Sequence, residues 1–294
     1  MNRRVSSTIA FGALAAFAGA FAGAQVRNDT AYSAILEGEP DSLEDAIRSG
    51  LSPNARLLIP DSTESISALE LAIAADNEEA AILLLEYGAT PGDLPGTPSR
   101  AKLIEYAAMQ DMPSLLDRLI NADPTALVTV ASGNHPLIVA AGSGGLESVQ
   151  LLLKNLLAFS AFDDRSAVLT AALGAAMTAP PQSASRIMAL LIDAGADDGP
   201  VSLAGTVTLC RADLVRFFLE RERDPEDLFE GKSAAQHAIE CLSDERIVNT
   251  RVSDDGVAIL RMLDRAGVDV CTPLVAQPLG QEQHESLMRR FNCR

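Results

Sequence analysis

Asn134-His-Pro-Leu-Ile-Val-Ala-Ala-Gly-Ser-Gly-Gly-Leu-Glu-Ser-Val-Gln-Leu-Leu-Leu153 holds two short apolar segments joined by a glycine-rich turn. Neither segment can bury its apolar face alone, so each needs the other and a neighbouring copy. A second copy stands at residues 67–89, where Ser67-Ala-Leu-Glu-Leu-Ala-Ile-Ala-Ala-Asp-Asn77 leads to Leu83-Leu-Leu-Glu-Tyr-Gly-Ala89. The first core position recurs at Leu69, Ile104, Leu137, Leu169, Leu203 and Ala235, at spacings of 35, 33, 32, 34 and 32 residues. A degenerate earlier copy starts near Ala31 and ends at Gly50, with Ser52-Pro53-Asn54 after it. Glycine closes copies at Gly50, Gly88, Gly195 and Gly267, where a helix must end in a left-handed cap.

These phased anchors resemble the ankyrin repeat, whose consensus T-P-L-H-x-A-A-x-x-G-H-x-x-x-V-x-L-L-L matches residues 134–153 closely. The resemblance covers residues 29–270 and implies an all-α fold class. The expected architecture is an ankyrin-repeat solenoid of about seven helix–turn–helix repeats with a C-terminal capping helix over Gln281–Phe291. The expected organisation is a signal peptide at 1–24, a repeat domain at 25–273 and a capping tail at 274–294. The consensus His is replaced by Glu70, Glu105, Ile138, Thr170 and Gln236, so its usual inter-repeat hydrogen bonds are expected to be missing.

Two copies are longer than the rest. From core anchor to closing glycine takes 19 residues in the second copy, 26 in the fifth and 32 in the seventh. The extra residues are expected as loops around Ala179-Pro180-Pro181-Gln182 and around Arg246–Gly256. A finger around Asp61-Ser62-Thr63-Glu64 is also expected to be lengthened.

Arg3 and Arg4 precede an uncharged stretch from Val5 to Val26 that contains Ala22-Gly23-Ala24. A basic region, an apolar run and small residues read as a secretory signal peptide cleaved before Gln25, or else after Ala20. The competing reading is an uncleaved anchor, against which the many Ala and Gly speak. Nothing else in the sequence approaches a membrane span.

Overall the sequence has 23 Lys+Arg against 40 Asp+Glu, a net charge of −17, with 48% apolar and 21% charged residues. That composition suits a folded globular protein. The acidic balance argues against sequence-independent nucleic-acid binding and against polybasic membrane attachment. Cleavage would remove two Arg and no acid, leaving −19.

The resemblance implies partner contacts at the fingertips and on the inner-helix face, just after the Ala-Ala pair of each copy. Those positions are Ala74 and Ala75, Met109 and Gln110, Gly142 and Ser143, Gly174 and Ala175, Thr208 and Leu209, Glu240 and Cys241. Glu240 alone among them is charged, so the face should be small-residue, near neutral and suited to a helix or extended peptide. The other reading is that small residues simply let inner helices pack. Phe159 and Phe162, in the finger 155–166, are candidate anchors or local core. The acidic surplus favours a basic protein partner.

No sequence of G-x-S-x-G, H-E-x-x-H or Walker type is present, so no catalytic residue, cofactor or metal is expected. Gly142-Ser143-Gly144-Gly145 lacks the Lys-Ser/Thr of a phosphate loop. His135 falls where the consensus has Thr, a turn-capping place, and His237 reads as a packed inner-helix residue. Asp163-Asp164, Asp197-Asp198 and Asp254-Asp255 read as solvated turns. Four cysteines, Cys210, Cys241, Cys271 and Cys293, allow three disulfide connectivities. The favoured one is 210–241 with 271–293, the other reading being four reduced thiols. The functional expectation is an exported, periplasmic or secreted monomer acting as a non-catalytic protein-binding scaffold. The alternative is an inhibitor or immunity protein that blocks a toxin or hydrolase.

Overall fold

A computed structural model describes residues 28–294 apart from 60–63, 91–99, 123–126, 128–134, 159–164, 200, 202, 222–223, 225, 244–249, 277–278 and 294. The chain divides into two compact units, Met1–Asp163 and Asp164–Arg294. The expected signal peptide and the Phe159/Phe162 finger lie outside the described residues.

The first unit holds four helix pairs among the described residues. They are α1 (28–37) with α2 (Pro40–Arg48), α3 (Ala68–Ala74) with α4 (Glu78–Glu86), α5 (Arg100–Met109) with α6 (Pro113–Ala122), and α7 (Pro136–Ser143) with α8 (Leu146–Ala158). Inner helices stack α3 on α5 on α7, and outer helices stack α2 on α4 on α6 on α8. The second unit pairs α9 (Arg165–Ala176) with α10 (Pro181–Asp193) and α11 (Leu203–Val207) with α12 (Ala212–Leu219). It continues with α13 (Ala234–Ser243) and α14 (Thr250–Arg265), then α15 (Cys271–Ala276) and α16 (Gln281–Arg290). Its inner layer runs α11, α13, α15 and its outer layer α10, α12, α14. Each unit is thus a stack of helix pairs whose apolar faces are buried by the neighbouring pair. The anchors Leu69, Ile104, Leu137, Leu169, Leu203 and Ala235 are all buried.

All four closing glycines adopt positive φ, from +89° to +103°, with open space where a Cβ would stand. Backbone conformation, not crowding, therefore demands glycine there. After α4, Ala89 N–H donates to the Leu84 carbonyl and Gly88 N–H to the Leu85 carbonyl, and the same pair of bonds closes α2, α10 and α14.

A second left-handed residue turns the inner helix toward the outer one. It stands seven residues past the anchor at Asp76, Asp111, Gly144 and Cys210. In the fifth and seventh copies that place is taken by Ala176 and Leu242, which remain helical. This corrects the expected loop insertions. In the fifth copy α9 runs on to Ala176 and α10 has 13 residues against nine in α4. Pro181 is the first residue of α10, where a missing N–H costs nothing. In the seventh copy Thr250–Gly256 belongs to α14, while 244–249 lie outside the described residues. The expected C-terminal capping helix is present as α16, and α15 packs beside it.

Two fingers are short antiparallel hairpins. β1 (Arg56–Leu58) pairs with β2 (Ser65–Ser67) in the register Leu57 opposite Ile66. β3 (Leu228–Phe229) pairs with β4 (Lys232–Ser233) around Glu230 and Gly231, both at positive φ as a two-residue hairpin requires. Each hairpin runs directly into an inner helix through a capping box. Glu70 N–H donates to Ser67 Oγ (3.1 Å) while Ser67 N–H donates to Glu70 Oε2 (3.2 Å). Gln236 N–H and Ser233 Oγ, with Ser233 N–H and Gln236 Oε1, do the same for α13. Two replacements of the consensus His therefore cap their own helices. A third, Thr170, accepts from Asp197 N–H at 3.0 Å, so that long-range link is present rather than missing.

Two outer helices, α6 and α8, are capped by the preceding repeat. Glu78 Oε1 accepts from Leu115 N–H and Asp111 Oδ1 from Ser148 N–H, each at 2.8 Å. A Cβ on Gly145 would stand 2.9 Å from that same Asp111 oxygen. Asp111→Gly, which loses the cap but eases φ +56°, and Gly145→Ala, which displaces it, should each cost about 1 kcal/mol. The double variant should cost little more than either, because one interaction is lost in both. Full additivity in urea denaturation would reject the shared cap.

Candidate functional site

In the first unit the inner helices end side by side. Ala74, Met109 and Ser143 are exposed there, Met109 by 46%, while Ala75, Gln110 and Gly142 are half-buried. Between α3 and α5 lies a concavity of about 360 Å³ lined by Ile66, Glu70, Ile73, Ala74, Tyr106, Met109 and Gln110. It brings together three of the expected partner-binding residues, Ala74, Met109 and Gln110. Ile66, Glu70 and Tyr106 escaped the sequence reading. Glu70 and Tyr106 sit four residues before Ala74 and Gln110, one helical turn back on the same face.

In the second unit Thr208 and Leu209 are exposed just after α11, and Gly174 and Ala175 are half-buried on α9. Cys241 does not reach the surface as expected: it is 5% exposed and bonded to Cys210. The exposed apolar finger here is Leu228 (62%) with Phe229 (39%). Its sequence signal was Glu230-Gly231 ahead of the Ser233-x-x-Gln236 capping box.

That finger is held from below by His237, 4% exposed on α13. His237 Nε2 donates to the Phe229 carbonyl (3.1 Å), and Nδ1 lies 3.1 Å from Glu240 Oε2. Glu240 also pairs with Lys232 of β4. Burial raises the Glu240 carboxyl, but the bonds to Lys232 and His237 outweigh it and hold the group below its ordinary value. His237 is thus the packed residue expected, with a positioning role for the fingertip.

His135 has the capping role expected of it, its Nδ1 accepting from Leu137 N–H at 3.2 Å. Burial lowers its pKa from 6.5 to about 4, a backbone bond with Leu127 acting the other way. Between those values the unfolded chain binds the proton and the folded chain does not. Stability is therefore complete above pH 6.5 and falls by as much as about 3 kcal/mol as pH drops to about 4. His135→Asn keeps a capping acceptor without titrating and should flatten that slope. Denaturation midpoints that fall equally in both proteins would reject the assignment.

Cys210 and Cys241 are bonded with Cα atoms 5.6 Å apart, and Cys271 and Cys293 with Cα atoms 5.3 Å apart. Cys210 is itself the left-handed turn residue after α11 (φ +52°), so it leaves the helix path that would hold stacked Cα atoms farther apart. Asp197 Oδ1 accepts from Gly199 N–H in a tight turn. Among the described residues no three His, Cys, Asp or Glu side chains stand at metal-holding geometry. No helix among them is long and apolar enough to cross a membrane. A second hollow of about 410 Å³ lies over the outer helices α4 and α6, edged by Leu85, Thr90, Asn121 and the Glu86–Arg118 ion pair (2.7 Å).

No protein family profile matches the chain, and no curated protein does. Among solved structures it is similar to the ankyrin repeat domain of human ASB11, at 18% identity and a TM-score of 0.48, covering 78% of this chain and 96% of that one. It is also similar to an ankyrin repeat domain from Acinetobacter baumannii AYE, at 20% identity and a TM-score of 0.39, covering 81% of this chain and 98% of that one.

Proposed function

We propose that this protein is an exported, non-catalytic scaffold that holds a protein partner against its inner-helix face. The observation that carries this reading is the concavity where Ala74, Met109 and Gln110 meet Ile66, Glu70 and Tyr106. An apolar hollow with a few convergent polar groups is the form a recognition site takes. Small neighbours at Ala75, Gly142 and Ser143 let an extended segment approach the backbone closely. The partner is basic, in keeping with a net charge of −17. Export is supported by residues 1–24, which have the makeup of a signal peptide, and by two cysteine pairs at bonding distance, which persist in oxidising compartments. The mature protein is a periplasmic or secreted monomer that carries no cofactor.

The test is a pull-down from periplasmic extract with the tagged mature chain and, in parallel, with Met109→Arg. One stoichiometric protein retained by the first and lost by the second supports the reading. The same protein retained by both moves the binding face elsewhere. A one-to-one complex with a hydrolase or toxin whose activity it stops would make the protein an inhibitor.

A further inference from the structure

We infer that the concavity between α3 and α5 is a subsite for one lysine or arginine side chain of the partner, an assignment that rests on the scaffold reading above. Its walls suit the methylene stem of such a side chain: Ile66, Ile73 and Met109 are apolar, and Met109 is half-exposed at the rim. Its polar groups suit the head. Glu70 is fixed in place because Oε2 accepts from both Ser67 N–H (3.2 Å) and Ser67 Oγ–H (2.8 Å). Among the described residues Glu70 Oε1, the Tyr106 hydroxyl and the Gln110 side-chain amide take no hydrogen bond. All three offer acceptor oxygens to a cationic head.

Competing guests fit worse. An acidic side chain meets the Glu70 carboxylate, and a purely apolar one covers that carboxylate without pairing it, which is costly. No basic residue lines the hollow. Lys102 lies over one face of the Tyr106 ring at 5.7 Å from its centroid, and the charged partner within the hollow for the guest's head is Glu70.

The test uses the full mature chain and a random-peptide phage library. Selected peptides should share one Lys or Arg position. In a synthetic copy, norleucine at that position should weaken binding to the wild-type chain by about tenfold or more. Glu70→Gln preserves the capping box, which accepts either residue, and removes only the charge. That variant, checked by an unchanged melting curve, should bind the two peptides alike. Peptides with no fixed basic position, or a Glu70→Gln chain that still prefers the basic peptide, overturn the subsite. A library that yields no binder overturns it too, since a basic linear segment is what the hollow takes. The scaffold reading fails separately: peptides that bind Met109→Arg as well as wild type contact some other face. Peptides lost on Met109→Arg but indifferent to charge leave the scaffold standing and reject the basic subsite alone.

Discussion

Reduction with dithiothreitol should lower the melting temperature by something on the order of 10 °C, and the loss should fall on α11–α16. The reason lies in helix length. α11 has five residues and α15 six, the two shortest helices of those whose bounds are given, and neither can persist on its own backbone bonds. Each disulfide begins or ends at one of them. Cys210 follows α11 and ties it to buried Cys241 of α13, while Cys271 opens α15 and ties it to Cys293 beyond α16. The closed segments are 31 and 22 residues, for which the chain-entropy account gives about 3.5 kcal/mol each. In a stack, stability passes only between neighbours, so the damage should be local. Hydrogen exchange should quicken in α11–α16 while amides of α3–α8 keep their protection. Oxidised and reduced protein melting together, or a uniform loss of protection, would show that the bridges do not hold these helices.

The distribution of those short helices could not be read from the amino acids, although the repeat itself could. Anchors at fixed phase and glycines at Gly50, Gly88, Gly195 and Gly267 speak through two strong local constraints, burial and positive φ. What failed was the placing of extra residues. Pro180-Pro181 looks like a loop until one knows that α9 has no left-handed turn at Ala176, so that Pro181 opens a helix instead. The non-glycine turn residues Asp111 and Cys210 were equally silent, because their reasons lie in another repeat and in a disulfide. Asp111 earns its strain by capping α8, and Cys210 by meeting Cys241. The proposed binding face was half legible for a similar reason. Helical phase identifies Ala74, Met109 and Gln110, but only the folded hairpin brings Ile66 beside them, and only the capping box explains how Glu70 is aimed.

Met109→Arg and Ser143→Arg should each reduce partner affinity by about a hundredfold or more without changing helical circular dichroism. Both positions are exposed at the ends of α5 and α7, so the folded chain has little packing to lose. They are cleaner probes than Ala75 or Gly142, which are half-buried and would mix a folding cost into the result. The magnitude follows from what a docked partner would do to the new group. The guanidinium introduced at Met109 would stand in the hollow beside Glu70 and claim the carboxylate that the partner's cationic head needs, and the one introduced at Ser143 would lose its water under a docked segment; either effect in an interface costs several kcal/mol. A basic partner adds like-charge repulsion. Asn121→Arg, exposed at the hollow over α4 and α6, introduces the same charge on the outer helices and should leave affinity within about twofold. Because both controls and probes carry the same added charge, long-range attraction to an acidic chain changes equally in all of them. Loss at Asn121→Arg with retention at Met109→Arg would transfer the site to the outer hollow, and loss in all three would assign the effect to net charge instead of to a face.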